Sequence, residues 1–210
     1  MRRLVSASRP VRATEVPRAS EKRISTGIGA LDEALGGGVV VPSVWLVSGH
    51  PGAGKTTRML ALASVVADAV GRDALAVSCE MTAAKTRDTA ERAGAKLDRL
   101  VIWEGPELSA VEAYARKMRP AAIVLDSLHR IEVKGERRAS DAALEAAMAA
   151  CVAMAKACEA AVFAIAHATK EGHAAGPRGV EHDGDVVVWV ERSALVVGKC
   201  RFGPGGRVEL

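Results

Sequence analysis

The chain has 210 residues, 49% of them apolar and only 3% aromatic, which suits one α/β domain with an aliphatic, alanine-rich core. No apolar run reaches the roughly 18 residues of a membrane span, and no apolar stretch follows the N-terminal arginines as a secretory signal requires. Cys79, Cys151, Cys158 and Cys200 are scattered with no C-x-x-C pair, which excludes a zinc ribbon and a disulfide framework and fits a reducing cytoplasm.

The net charge of +4 is unevenly spread: residues 1–23 hold seven basic and two acidic side chains, and the remainder has a slight acidic excess. Residues 1–22, with Pro and Ser and no periodicity, read as a basic, disordered tail, either a solvated leader or a nucleic-acid contact. Residues 23–210 read as one domain.

In chain order, Ile24 to Leu35 reads as a short helical entry stopped by Gly36-Gly37-Gly38. Val44 to Ser48 is an apolar, partly β-branched run that suits a buried strand, and Thr57 to Ala67 reads as a helix. Between them Gly49-His50-Pro51-Gly52-Ala53-Gly54-Lys55-Thr56 matches G-x-x-x-x-G-K-[ST] in full, with Thr57 following. Strand, glycine-rich turn and helix is the arrangement that surrounds a phosphate with backbone N–H groups at a helix N-terminus. Lys55 is then placed for the β- and γ-phosphates of a nucleoside triphosphate, and the Thr56 hydroxyl for Mg²⁺.

Further along, strands are expected at Leu75–Cys79, Val101–Trp103, Ala121–Leu125 and Ala161–Ala166, and helices at Thr82–Ala93, Ser109–Met118 and Ser140–Ala157. Asp185 to Leu210 reads as a β-hairpin ribbon with turns at Glu191–Ser193 and Gly203–Gly206. Strands alternating with helices predict an α/β fold with a mainly parallel sheet flanked by helices. Ligands sit at the carboxyl ends of such strands, where Gly49, Glu80, Asp126 and His167 all fall.

Asp126, after four apolar residues, is the expected carboxylate of the Mg²⁺ shell, with Ser127 sharing it. Glu80 is the candidate to deprotonate the attacking water, and Glu104 a weaker rival. His167 is placed to sense the γ-phosphate. The glycine-bearing loop Ala168–Asp183 reads as mobile, and Lys170, His173, Arg178 and His182 suit it to a phosphate backbone. It has no aromatic residue for base stacking, so binding there would be electrostatic. His129, Arg130, Lys134, Arg137 and Arg138 form a second basic stretch, which can equally be a solvated face. Lys199 and Arg201 flank Cys200 on a terminal strand and suit a pair of cations reaching a neighbouring subunit's γ-phosphate.

These residues resemble the ATPase core of the bacterial RadA/Sms recombination proteins, RecA-like P-loop NTPases related also to DnaB and KaiC. The matching stretches are Arg23–Gly27, Leu31–Gly38, the phosphate loop, Val77–Glu80, Leu125–Ser127, His167–Gly172, Ala175–Arg178 with Glu181-His182, and Lys199–Gly203. The Lys-Glu-Gly…Ala-Gly-Pro…Glu-His loop and Lys-x-Arg-Phe-Gly are the specific ones. The resemblance implies a homo-oligomeric ring, a hexamer, that hydrolyses ATP and acts on single-stranded DNA in recombination and repair. Glu80 then matches the catalytic glutamate, Asp126 the Walker B acid, residues 168–183 a DNA-binding loop, and Lys199 and Arg201 the trans-acting cations. Residues 1–22 lack the cysteines of that family's zinc module, the family's second acidic residue is Met81 here, and its Lon-like domain has no counterpart before Leu210. Rival expectations are a DnaB-like helicase module, a KaiC-like regulatory ATPase, and a nucleotide-binding adaptor.

Overall fold

Apolar runs too short for helices and uninterrupted by polar residues must be buried on both faces, and here they form the centre of a sheet. The computed structural model describes residues 12–15, 21–168 and 177–210. Strand β1 (Lys22–Ile24) pairs antiparallel with β2 (Val39–Val41), and helix α1 (Gly29–Ala34) lies between them in the chain. There follow β3 (Ser43–Gly49), α2 (Lys55–Val70), β4 (Ala74–Ser78), α3 (Ala83–Arg92), β5 (Leu100–Glu104), α4 (Leu108–Met118) and β6 (Ala122–Asp126). The chain closes with α5 (Asp141–Cys158), β7 (Ala161–Ile165), α6 (Arg178–Asp183), β8 (Val186–Val190), β9 (Ala194–Cys200) and β10 (Gly206–Glu209).

The main sheet has eight strands in the order β10-β9-β8-β3-β7-β6-β4-β5. It is parallel from β5 to β8 and antiparallel from β8 to β10. This is the expected RecA-like arrangement, with the C-terminal antiparallel strands present. The hairpin ribbon continues the main sheet: β8 pairs in parallel register with β3, Trp45 opposite Val186 and Gly49 opposite Val190.

Side chains alternate across each strand. Trp45 and Val47 join Phe163, Met59 and Ala63 in a core on the α2 face, while Val44 and Leu46 join Leu75, Ile123 and Met154 on the α5 face. The Trp45 and Phe163 rings meet edge to face at 5.3 Å and stand directly opposite in register, an arrangement worth about 0.5–1.5 kcal/mol beyond burial. Ser140 caps α5 by accepting from the Ala143 N–H (3.2 Å).

One expectation is corrected. Ile24 to Leu35 is not a single helical entry: Ile24 ends a strand and the helix begins only at Gly29. The cause is Asp32, whose carboxylate accepts from the Ser25 hydroxyl (2.5 Å), the Thr26 N–H (2.8 Å) and the Thr26 hydroxyl (2.7 Å), holding residues 25–27 in a turn. Lys22, assigned to the tail, already pairs with Val41; residues 1–11 and 16–20 of that tail lie outside the described residues.

Gly36 of Leu31–Gly38 and Gly203 of Lys199–Gly203 have a shared structural reason. A Cβ on Gly36 would stand 2.1 Å from the Phe202 carbonyl oxygen, and one on Gly203 only 2.3 Å from the Gly36 nitrogen. Arg23 ties the same junction by donating to the Leu35, Gly36 and Phe202 carbonyls at 3.2, 2.8 and 3.4 Å.

Candidate nucleotide site

The site is built where β3, β4, β6 and β7 end. Ser78 is level with Asp126 across β4 and β6, and Asp126 with Ile165 across β6 and β7. Glu80 and His167 each lie two residues beyond those levels, so the register alone brings them to the rim that holds the phosphate loop. The cleft there measures about 770 Å³ and is lined by Gly49, Pro51, Gly52, Gly54, Lys55, Thr56, Thr57, Glu80, Asp126 and His167 among others. His50 and Ala53 lie in the same loop, with Ala53 N–H donating to the His50 carbonyl at 3.2 Å.

Several contacts hold the loop against the rest of the fold. Gly49 has φ +147° and a Cβ there would lie 2.3 Å from the Val190 carbonyl oxygen, so β8 presses directly on the start of the loop. The His50 ring meets the Trp189 ring at 5.2 Å, nearly perpendicular. The Arg58 guanidinium, one turn into α2, donates to the Ala53 carbonyl and to the Arg192 carbonyl, the latter at 2.5 Å. Lys55 Nζ donates to the carbonyls of Gly49 (2.8 Å) and His50 (3.1 Å). Burial lowers the Lys55 ammonium pKa, opposed by the charges of Asp126 and Glu80.

Thr56 Oγ1 donates to Asp126 Oδ2 at 2.6 Å. Asp126 is buried, and burial pushes its carboxyl above the ordinary range, with the Thr56 hydrogen bond pulling the other way. These two hard oxygen donors beside a phosphate loop fit a magnesium ion. Among the described residues there is no group of three or more His, Cys, Asp or Glu that could hold a metal. Two protein oxygens suit a cation that completes its shell with phosphate oxygens and water.

Glu80 Oε1 accepts from Ser127 Oγ (2.6 Å) and lies 2.7 Å from His167 Nε2. Burial raises the Glu80 carboxyl, but the hydrogen bonds from Ser127 and His167, with the charges of His167 and Arg130, outweigh it and hold the pKa below its ordinary value. An ionised Glu80 accepts, so His167 Nε2 carries the hydrogen. Glu104 does not share this site: its Oε2 accepts from the Ala83 N–H at 2.8 Å and caps α3 together with Thr82. Its strand-end position makes it a rival, but the side chain faces back to α3, the helix that precedes its strand.

Lys199 and Arg201 are brought together, but at α6. Lys199 Nζ donates to the Glu181 (3.1 Å) and His182 (2.9 Å) carbonyls. Arg201 donates to the His182 carbonyl (3.2 Å) and to Asp185 Oδ1 (3.2 Å). Both cations thus satisfy carbonyls at the helix C-terminus. Helix α6 stands where the sequence predicts loop, because Arg-Gly-Val-Glu-His-Asp carries no apolar period. His182 is exposed at its end. Lys170, His173 and the Arg178 side chain lie outside the described residues. Arg130, Lys134, Arg137 and Arg138 are exposed along the β6–α5 connection.

Sequence reasoning missed Thr89 and Arg92 of α3, which also line the cleft. It placed His129 on a basic surface, whereas its ring stacks on His167 at 4.6 Å and 5°. A one-dimensional pattern carries no signal for either, because both depend on neighbouring strand ends.

Compared with known proteins, residues 10–173 match a family model described as an AAA domain. The chain is similar to the DNA repair protein RadA of Mycobacterium tuberculosis, 34% identical over 97% of this chain and 44% of that protein. It is 32% identical to the RadA of Halalkalibacterium halodurans, over 88% of this chain and 40% of the relative. For Bacillus subtilis RadA the figures are 29%, 89% and 41%. The chain spans less than half the length of these curated relatives, and the match is to their ATPase core. Among the described residues no helix is long and apolar enough to cross a membrane.

Proposed function

Because the chain belongs to the AAA domain family, we propose that it binds and hydrolyses ATP with Mg²⁺ and couples turnover to single-stranded DNA. The observation that carries this reading is the convergence of Lys55, Thr56, Asp126 and Glu80 on one cleft at the carboxyl ends of the strands. Backbone N–H groups of residues 49–56 take the phosphates, and Lys55 exchanges its two loop carbonyls for the β- and γ-phosphate oxygens. Thr56 and Asp126 would hold the magnesium ion, which would neutralise charge building on the phosphate oxygens. Glu80, kept ionised, takes the proton of the attacking water as the water oxygen bonds to the γ-phosphorus and ADP departs with the bonding pair. His167 orients Glu80 and senses the γ-phosphate beside it.

Lys199 and Arg201 serve a neighbouring copy in a homo-oligomeric ring, a hexamer by resemblance. DNA is held electrostatically by Lys170, Arg178 and His182 on one side and by Arg130, Arg137 and Arg138 on the other. The relatives' name, DNA repair protein, supports DNA as the partner, and the reading places the protein in the cytoplasm. The test is ATPase rate with and without single-stranded DNA across protein concentrations. Turnover should rise with both. Turnover indifferent to DNA favours a regulatory ring, strand displacement on a forked duplex favours a helicase module, and no turnover from folded protein sinks the reading.

A further inference from the structure

Glu80 and His167 are only partly buried, with 35% and 44% of their side chains open to solvent. Burial therefore does not fix their geometry, and the torsion that turns an imidazole ring is broad. The orientation has to come from specific neighbours. On one side stands Ser127, fully buried, whose Oγ donates to Glu80 Oε1 and lies 3.3 Å from His167 Nε2. On the other stands His129, two residues further along the same connection.

His129 touches His167 twice. The two rings are stacked at 4.6 Å and within 5° of parallel. His129 Nδ1 also accepts the backbone N–H of His167 at 3.3 Å. One residue thus sets both the plane of the His167 ring and the main-chain position from which that ring projects. Because its Nδ1 accepts, the neutral His129 ring carries its hydrogen on Nε2.

We propose that His129 is a positioning residue for hydrolysis, fixing the His167 ring in the plane from which its Nε2–H restrains the water-activating carboxylate of Glu80. This rests on Glu80 being the base, as proposed above. His129 touches neither phosphate loop nor substrate in this scheme and acts through His167. The rival account is that the stack only packs the β6–α5 connection. In that case truncation would cost stability and leave the chemistry alone.

Three variants separate the two. His129→Ala removes the flat face and the acceptor. His129→Leu removes both while keeping bulk, so the fold is retained should the alanine variant be unstable. His129→Phe keeps the face alone. Small misplacements of a catalytic group can cost up to about 100-fold. We expect kcat to fall about 10-fold in the alanine and leucine variants and to recover largely in the phenylalanine variant, with ATP affinity within about twofold throughout. A second readout does not depend on turnover: the imidazole Nε2–H resonance of His167, assigned by its loss in His167→Gln. It should be sharp in the parent and the phenylalanine variant and exchange-broadened in the other two. Unchanged kcat and resonance in His129→Leu, or losses that His129→Phe does not restore, overturn the proposal. If the parent protein hydrolyses no ATP, the functional reading fails, while the resonance alone still decides whether His129 positions His167.

Discussion

Two sets of cations in this molecule are held in the same way, yet they were legible to very different degrees. Lys55 donates to the carbonyls of Gly49 and His50, six and five residues away within its own loop. Lys199 and Arg201 donate to the carbonyls of Glu181 and His182, across a β-strand and from a different element. The first group is preset by a local motif whose partners are written beside it. The second is set by tertiary packing, and its cations are tied to the end of α6, the last part of the segment proposed to hold DNA. A cation parked on backbone carbonyls can exchange them for phosphate oxygens at little net cost, because one set of acceptors replaces another. For Lys55 that exchange stays within one subunit. For Lys199 and Arg201 it would cross a boundary and release the end of α6.

The sharpest way to break this comparison is the double variant Lys199→Ala, Arg201→Ala. If these cations act in trans, turnover should fall about 10³–10⁵-fold, the range for an arginine finger. Mixing with Glu80→Gln protein should restore activity, since that variant supplies cations and the first supplies a base. Failure to recover on mixing would leave them only the helix-capping role seen within the subunit.

Glu80→Gln alone should lower kcat about 10²–10⁴-fold, the usual worth of a positioned base. Calorimetry should still register ATP binding, whereas Lys55→Ala should lose affinity as well. A Glu80→Gln protein that no longer binds ATP would remove Glu80 from the role of base.

Smaller effects test the packing at each region. Gly49→Ala and Gly203→Ala each force a Cβ onto backbone atoms of another element and should destabilise by about 1–3 kcal/mol in urea unfolding. A wild-type midpoint for Gly203→Ala would show that the junction of Gly36 with the hairpin yields easily.

The least effect expected in magnitude, but a specific one, is in pH and salt. Glu80 has a depressed folded pKa, so it stays ionised, and its contribution to stability stays complete, above its unfolded value; both are lost as pH falls through the lower folded value. The acid limb of kcat should therefore lie below the ordinary carboxylate range. Ser127→Ala removes a bond that lowers the pKa while burial remains, so the limb should move upward. An unmoved limb would deny Ser127 its hold on Glu80. For DNA, removing one phosphate contact, as in Lys170→Ala, should reduce the slope of log affinity against log salt by about 0.7.

The strand-loop-helix at Gly49–Thr57 was legible because its chemistry, turn geometry and helix start are all local. Asp126 and Glu80 were legible because an apolar run ending in a carboxylate marks the rim of a parallel sheet. The helix expected across Ile24–Leu35 failed where Asp32 reaches back to Ser25 and Thr26, a side-chain competition that residue propensity does not encode. Glu104 shares the signature of Glu80, a carboxylate closing a strand, and only its bond to the Ala83 N–H tells them apart.

By itself, then, the sequence determined the alternation of buried strands with helices, the phosphate cradle and the carboxylates that face it, since each follows from periodicity or adjacency over a few residues. Only the tertiary structure decided that β8 joins β3, that Gly36 meets Gly203, that Lys199 and Arg201 rest on α6, and that His129 lies flat on His167. Those contacts join residues far apart in the chain, and their energy exists only once strand order and register have brought the partners within van der Waals or hydrogen-bond reach.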